Sequence, residues 1–321
     1  MRILINDKIS ASGVEALEKA GHQVFLVNVA QNRIPQYINE HEIEVLLVRS
    51  ATKVGKDIID NCPSLKIIGR GGVGMDNIEV DYAQSKGIHV INTPEASAAS
   101  VAELVFAHLF GAVRFLYDSN RNMPLEGDSH FKELKKYYSS GKELRGKTIG
   151  LIGFGKIAQE VAKIAIGCGM KVLINRKNQS ESNRITLEFF DSQQVSFNLP
   201  THSFEDVLRQ SDFISIHVPA EAGTLFGEKE LKMMKPGAGL INSSRGNTVD
   251  EEALLEALDE EKLSFAALDV YKNEPSPSLK ILMHPKISLS PHIGASTDEA
   301  QDRIGLELAK QIDRIAEKFN Y

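Results

Sequence analysis

The residues with the clearest chemical potential are Arg245, Glu274 and His292, each of which follows a short apolar segment late in the chain. Imidazole transfers protons near neutral pH. A neighbouring carboxylate orients the ring, and an arginine offers paired donors to a carboxylate or an oxyanion. Taken alone, an arginine such as Arg245 more often forms a solvated ion pair, a histidine such as His292 more often has a structural role, and a glutamate before proline such as Glu274 more often lies in an exposed turn. Their combination favours exchange between a 2-hydroxy acid and a 2-oxo acid.

A glycine-containing stretch in mid-chain indicates a dinucleotide site. Residues 149–152 form a short apolar run typical of a buried strand, and a helical pattern begins at Ile157. Between them, Gly153 permits a tight turn and Gly155 lets backbone N–H groups approach a pyrophosphate at the helix N-terminus. Ala158 occupies the third position of the fingerprint, where alanine is allowed. A bare glycine turn is the alternative, but strand and helix on either side favour dinucleotide binding.

The segments around these residues predict an α/β fold. Strand and helix alternate over the first ninety or so residues, which indicates a parallel sheet with ligands at its strand ends. A second alternation begins at the glycine stretch. We expect one long helix over residues 97–117 between the two, a hairpin over 185–199, and a final helix over 297–318 that returns to the first domain.

Composition is ordinary for a globular enzyme. The chain has 321 residues, 42% hydrophobic and 25% charged, with a net charge of -6, which gives no general attraction to nucleic acid. Cys62 and Cys168 have no metal or redox spacing, so we expect no metal site and a cytoplasmic location. The apolar segment 100–116 includes Glu103, His108 and Arg114, which indicates a buried or interface helix and no membrane partner.

Nearly the whole chain resembles the D-isomer-specific 2-hydroxyacid dehydrogenases, and most closely their phosphoglycerate dehydrogenase branch. The matching stretches are residues 48–54, Gly69-Arg70, Gly74-Met75-Asp76-Asn77, Asn92-Thr93-Pro94, Ala102-Glu103-Leu104, Ser244-Arg245-Gly246, Val249-Asp250-Glu251, Asp269-Val270, Glu274-Pro275 and residues 291–297.

The resemblance implies a fold of two doubly wound parallel sheets. A Rossmann cofactor domain, residues 97–295, would be inserted into a flavodoxin-like substrate domain formed by residues 1–96 and 296–321. It also implies a homodimer that uses the helix from about Ser97. No segment after the final helix matches the regulatory domain of longer relatives, so we expect a short form without serine feedback.

The resemblance also implies a role for each site residue. His292 would be the acid/base, Glu274 its partner, and Arg245 the clamp on the substrate carboxylate and carbonyl. The other implied substrate contacts are Arg49, Ser50, Arg70, Gly72 and Val73, with the two arginines on a substrate phosphate. The implied cofactor contacts are Gly153, Gly155, Lys156, Ile157, Pro219, Ser243, Asp269, His292, Gly294 and Ala295.

One residue departs from the pattern of the family at a position that bears on the choice of cofactor. Arg176 stands where NAD-binding members carry an acidic residue for the ribose 2′-hydroxyl, and arginine suits a 2′-phosphate. The cofactor is therefore expected to be NAD(H) or NADP(H), with Arg176 favouring NADP(H). Two alternatives to the phosphoglycerate reaction stay open. One is a glyoxylate or hydroxypyruvate reductase, and the other is a dinucleotide-sensing binding protein of the corepressor type.

Overall fold

The chain divides into two units, each with its own parallel sheet. The first comprises Met1–Ser100 with Ala295–Tyr321, and the second comprises Val101–Gly294. The computed structural model describes residues 1–178 and 182–319, and the elements given below belong to these ranges. The division predicted from sequence, 1–96 with 296–321 and 97–295, places its breaks at neighbouring positions.

Short apolar runs form the strands of the first unit. They are β1 (Arg2–Ile5), β2 (Gln23–Leu26), β3 (Val45–Val48), β4 (Ile67–Arg70) and β5 (His89–Asn92), and the helices are α1 (Ala11–Lys19), α2 (Ile34–Glu40), α3 (Lys56–Asn61) and α4 (Val80–Ser85). All strands pair in parallel in the order β2-β1-β3-β4-β5, which is flavodoxin-like. On β3, Leu46 packs in one buried cluster and Val45 and Leu47 in another, so both faces of the sheet are covered.

The second unit has a longer parallel sheet. Its strands are β6 (Thr148–Ile152), β7 (Lys171–Asn175), β10 (Phe213–Ile216), β11 (Ala238–Asn242), β12 (Leu263–Leu268) and β13 (Ile287–Leu289), in the order β13-β12-β11-β10-β6-β7. Its helices after the glycine turn are α8 (Lys156–Gly167), α9 (Phe204–Gln210), α10 (Glu228–Met233), α11 (Glu251–Asp259) and α12 (Leu279–Met283). Thr201 adds a single parallel bridge to Ile174 where a Rossmann sheet has a further strand, so the topology is Rossmann-like.

Two further predictions about elements can be compared with the structure. The hairpin is confirmed as β8 (Arg184–Glu188) paired antiparallel with β9 (Gln194–Asn198). The final helix is α13 (Asp298–Phe319), which packs on α1 so closely that a Cβ on Gly13 would lie 2.6 Å from the Gly305 Cα.

The single long helix predicted over 97–117 was wrong. The segment forms α5 (Ala98–Val113) and α6 (Leu116–Glu126), bent by 55°, and α7 (Phe131–Tyr137) follows. Phe115 is left-handed at φ 55°, and the Val113 carbonyl accepts the N–H of Lys142 at 2.9 Å, so the helical hydrogen-bond ladder stops there. In the described ranges no single helix is long and apolar enough to span a membrane, and only the bent α5–α6 pair has the length and composition for it.

Candidate active site

The two glycines of the turn after β6 have different structural surroundings, and only one of them is required by the fold. Gly153 has φ +87°, and a Cβ built on it would lie 2.3 Å from the His217 carbonyl oxygen, so glycine is required there by the protein itself. Gly155 is the N-cap of α8, and a Cβ on it would meet no atom within 4 Å. The fold therefore does not explain Gly155, whereas close approach of a pyrophosphate to the helix N-terminus does.

Other residues around this edge fit a dinucleotide. Lys156 and Ile157 form the first turn of α8, and Pro219 follows β10. Ser243 follows β11, and its buried Oγ has no hydrogen-bond partner in residues 1–178 or 182–319, as expected of a polar atom that serves a ligand. Because a helix N-terminus and such an atom lie at the strand ends of a Rossmann-like sheet, these residues fit a nicotinamide dinucleotide.

His292 and Glu274 form a hydrogen-bonded pair. Nδ1 of His292 lies 2.8 Å from Oε2 of Glu274, and Oε1 of the same carboxylate accepts the Tyr271 N–H at 2.9 Å. An ionised carboxylate only accepts, so Nδ1 is the donor, and Nε2 is the nitrogen available to exchange a proton with a substrate. The side chains are 52% and 36% exposed, so the pair is reachable from solvent.

The backbone around His292 is strained and anchored. His292 is left-handed at φ 55°, a conformation that costs a residue with a side chain about 1–2 kcal/mol. The next two N–H groups, of Ile293 and Gly294, each donate to the Asp269 carboxylate at 2.9 Å. Asp269 was predicted as a cofactor contact, and in the structure both of its oxygens hold the His292 loop.

Arg245 lies on the loop after β11, next to the loop that carries Glu274. The Arg245 carbonyl accepts from Asn242 Nδ2 at 2.9 Å and from Thr248 Oγ1 at 2.7 Å, and its Nη1 donates to the Ser244 carbonyl at 2.8 Å. A Cβ on Gly246 would lie 2.0 Å from the carbonyl carbon of Tyr271, so the two loops are in direct backbone contact. The strand order β13-β12-β11 thus brings all three predicted catalytic residues to one edge of the sheet.

In the first unit, a single amide links the two predicted phosphate-binding arginines. Asn77 Oδ1 accepts from Arg70 Nε at 3.0 Å, and its Nδ2 donates to the carbonyls of Arg49 and Thr52 at 2.6 Å. Asp7, which is buried, accepts the Arg49 N–H at 2.7 Å. Arg49 and Arg70 follow and end adjacent paired strands, so the structure holds both on one rigid edge.

The remaining predicted residues lie near these groups or apart from them. Ser50 is exposed beside Arg49, and the Gly72 and Val73 carbonyls accept hydrogen bonds from Thr93 N–H at 3.0 Å and Asn92 Nδ2 at 2.7 Å. Ala295, a predicted cofactor contact, belongs to the first unit, where its carbonyl accepts from Gln301 Nε2 at 2.8 Å.

Arg176 follows β7 directly, as predicted for the residue that meets the ribose. Its Nη1 donates to Asn183 Oδ1 at 3.2 Å, and Asn183 Nδ2 in turn donates to Thr201 Oγ1 at 2.9 Å. The segment that leads into the β8–β9 hairpin therefore orients this guanidinium.

Sequence reasoning missed the residues that support the site. The Tyr271 hydroxyl shares its one proton between the carbonyls of Leu268 (3.1 Å) and Ser290 (2.8 Å), which joins the ends of β12 and β13. Burial raises the pKa of Tyr271 to about 12. Asn77 lies in one of the stretches that resemble the family, and Ser290 lies directly before another. This position in the sequence was the one signal that could have indicated their supporting roles. Across residues 1–178 and 182–319, no group of three or more His, Cys, Asp or Glu residues could hold a metal ion.

The fold and the site define a nicotinamide-dependent oxidoreductase of small hydroxy acids. Residues 106–294 match the family model described as "D-isomer specific 2-hydroxyacid dehydrogenase, NAD binding domain". The chain belongs to this family.

Two curated relatives and one solved structure illustrate the range of the similarity. The chain is 39% identical to a hydroxypyruvate reductase of Thermotoga maritima, over 97% of both chains. It is 36% identical to a D-3-phosphoglycerate dehydrogenase of Methanocaldococcus jannaschii over 98% of its own length, and spans 57% of that relative. The structure of an acyclic imino acid reductase in complex with NADPH and D-Arg superposes with a TM-score of 0.84 at 28% identity, covering 99% of this chain and 98% of that one. The chain is an NAD(P)-dependent D-2-hydroxyacid dehydrogenase.

Proposed function

We propose that the substrate pair is 3-phosphoglycerate and 3-phosphohydroxypyruvate. The observation that carries this choice is the link from Asn77 to both Arg49 and Arg70. Asn77 holds the Arg70 guanidinium and the Arg49 backbone at one sheet edge, and the two arginines together offer more positive charge than a lone substrate carboxylate needs. Arginine also binds phosphate in a bidentate manner. The backbone N–H groups of Gly72 and Val73 would hold the substrate carboxylate, for which the Gly72 N–H must leave the Arg70 carbonyl to which it donates at 2.9 Å.

The proposed acid/base step follows from the His292–Glu274 hydrogen bond. Glu274 holds the Nδ1 proton, so Nε2 takes the hydroxyl proton of the 2-hydroxy acid during oxidation and returns it during reduction. Arg245 would bind the carboxylate and stabilise charge on the C2 oxygen. The nicotinamide, when bound, accepts or supplies the hydride at C2. The αL backbone of His292 and its two hydrogen bonds to Asp269 keep the ring in place throughout.

For the cofactor, we propose a preference for NADP(H). Arg176 occupies the position after β7 that faces the ribose in this fold, and Asn183 holds its guanidinium at 3.2 Å. A guanidinium there favours a 2′-phosphate over a 2′-hydroxyl. The NADPH in the imino acid reductase structure supports the same choice.

A hydroxypyruvate reductase is the second candidate. It is favoured by the Thermotoga maritima relative, which matches this chain over 97% of both lengths. In that case Arg49 and Arg70 would contribute general positive charge, with no phosphate to bind.

We also propose that the protein is a cytoplasmic homodimer. Helices α5–α7 of the second unit carry large exposed apolar side chains, which favours burial against a second copy: Phe110 (46% exposed), Leu116 (63%), Leu125 (75%), Phe131 (55%) and Tyr137 (72%). Cys62 and Cys168 are free thiols, which is typical of a reducing compartment.

Initial rates with 3-phosphohydroxypyruvate, hydroxypyruvate and glyoxylate, each with NADH and NADPH, test the proposed substrate and cofactor together. We expect the highest kcat/KM for phosphohydroxypyruvate with NADPH. A higher kcat/KM for hydroxypyruvate or glyoxylate would overturn the phosphate role of the arginines. A higher kcat/KM with NADH would overturn the role of Arg176.

A further inference from the structure

A buried chain of hydrogen bonds runs from helix α5 to the anchor of the His292 loop. His108, 8% exposed, lies on α5 with Nδ1 2.7 Å from Ser288 Oγ and Nε2 2.9 Å from Ser290 Oγ. Ser290 Oγ lies 2.6 Å from Asp269 Oδ1. The same Asp269 carboxylate receives the backbone N–H groups that follow His292.

The Asp269 carboxylate determines which group donates and which accepts in each of these hydrogen bonds. Ionised Asp269 only accepts, so the Ser290 hydroxyl donates its proton to Oδ1 and its oxygen must accept from His108. Nε2 of His108 is therefore the protonated nitrogen, and Nδ1 accepts the Ser288 hydroxyl proton. Burial lowers the pKa of His108, against the opposing effect of the Asp269 charge, which favours the neutral ring that this pattern requires.

Without His108, the donor and acceptor roles in this series of hydrogen bonds are no longer determined. Ser290 Oγ would lack its donor, and its hydroxyl could turn towards other acceptors, because a serine rotor follows the strongest partner within reach. Asp269 would then lose a short hydrogen bond on the oxygen that also receives the Ile293 N–H. That bond helps to offset the left-handed backbone of His292, a strained position that persists only where its surroundings determine it.

We propose that His108 is a positioning residue for the acid/base group, acting through Ser290 and Asp269 on the backbone of His292. Within residues 1–178 and 182–319, the ring nitrogens of His108 hydrogen-bond to the two serine hydroxyls and to none of the proposed reacting groups. Its effect is on the angle at which the His292 ring meets Glu274 and the substrate oxygen. The inference rests on the proposed role of His292 and extends the site to a helix on which sequence reasoning placed no chemistry.

The test compares four variants with the wild-type enzyme. H108L removes the hydrogen bond from His108 to Ser290, and S290A removes the one from Ser290 to Asp269. H108L/S290A removes both. H108Q keeps an amide N–H that can reach Ser290 Oγ. The matched control is V105A, at a buried position one turn earlier on α5. This truncation leaves a cavity but removes none of the hydrogen bonds among His108, Ser290 and Asp269. For each we would measure kcat, the substrate KM, the NADPH Kd, Tm and the solvent deuterium isotope effect on kcat.

We expect H108L and S290A each to lower kcat by about 10-fold, with the NADPH Kd and the substrate KM within about twofold of wild type, because a 1.4 kcal/mol loss in the transition state is a tenfold loss in rate. The double variant should be no worse than the poorer single variant, since both cut one pathway. The isotope effect should rise as proton transfer becomes slower, and H108Q should recover much of the loss. V105A should lower Tm without changing the isotope effect.

Three results would overturn the proposal. These are additive losses in the double variant, an unchanged kcat in a folded H108L or S290A enzyme, or an isotope effect in both that stays at the wild-type value. If H108L does not fold, S290A and H108Q carry the same comparison. Failure of the proposed role of His292 itself is seen separately, as normal turnover in H292A.

Discussion

The glycine turn offers a pair of substitutions with opposite expected effects. G153A introduces a Cβ 2.3 Å from the His217 carbonyl oxygen at a residue with φ +87°. The backbone conformation costs about 1–2 kcal/mol for a residue with a side chain, and the overlap adds about 1–3 kcal/mol. A loss of about 3 kcal/mol lowers Tm by roughly 6–12 °C in a domain of this size.

G155A should leave the fold almost unchanged. Gly155 has φ -83° and ψ -168°, which alanine adopts freely, and a Cβ there meets no atom within 4 Å. The change of N-cap residue costs less than about 1 kcal/mol. We expect instead that the methyl group keeps the pyrophosphate away from the backbone and raises the dinucleotide Kd by at least about 10-fold, or 1.4 kcal/mol.

Thermal unfolding by circular dichroism and titration of NADPH fluorescence separate the two effects, and the chain has no tryptophan to interfere with the second measurement. We predict a low Tm for G153A, and a near-normal Tm with weak cofactor binding for G155A. A G153A enzyme that melts like the wild type, or a G155A enzyme that binds NADPH normally, would refute these roles of the two glycines.

Three further predictions follow from other parts of the structure. R70Q should lower kcat/KM for phosphohydroxypyruvate about 10–100-fold, as loss of a charged hydrogen bond implies, and leave hydroxypyruvate within about threefold; equal losses in steady-state assays would contradict the phosphate role. R176Q should lower kcat/KM with NADPH by about 10-fold or more and spare NADH, so an unchanged NADPH/NADH ratio of initial rates would argue against a 2′-phosphate contact. Burial lowers the pKa of His108, and that of His217 to about 3, so the unfolded chain binds protons that the native protein does not. The free energy of unfolding in urea should therefore fall by up to about 1.4 kcal/mol per pH unit for each histidine as pH drops below about 6.5. A flat profile between pH 7.5 and 5.5 would contradict this, because it would mean that the native protein binds as many protons as the unfolded chain.

Local sequence signals predicted most of the elements and the site positions. The apolar runs of β1, β3 and β6, the glycine turn and the hairpin each depend on residues close together in the chain, so their patterns could be read directly. The fingerprint did not show why each glycine is present. The φ of +87° at Gly153 and the nearby His217 carbonyl, which lies far along the sequence, show that the fold requires Gly153 but not Gly155.

Features that depend on distant contacts could not be predicted. The helix expected over 97–117 ends at Val113, whose carbonyl accepts the Lys142 N–H, and no pattern within the helix reveals that contact. His108 is 180 residues from Ser288 in sequence and stands in an apolar helix, so its hydrogen bonds had no local signal. The hydrogen bonds from Asp269 to the loop after His292 likewise join residues more than 20 positions apart, so no local pattern showed them.

The most direct test of the account is the turnover of H292A in both directions, with thermal unfolding and NADPH binding as controls for an intact fold. The 2.8 Å hydrogen bond to Glu274 leaves one imidazole nitrogen for proton exchange, and loss of such a general acid/base lowers kcat by about 100–10,000-fold. We predict a loss of this size at normal Tm and normal NADPH Kd. Near-normal turnover in a folded, cofactor-binding H292A enzyme would contradict the acid/base role of His292.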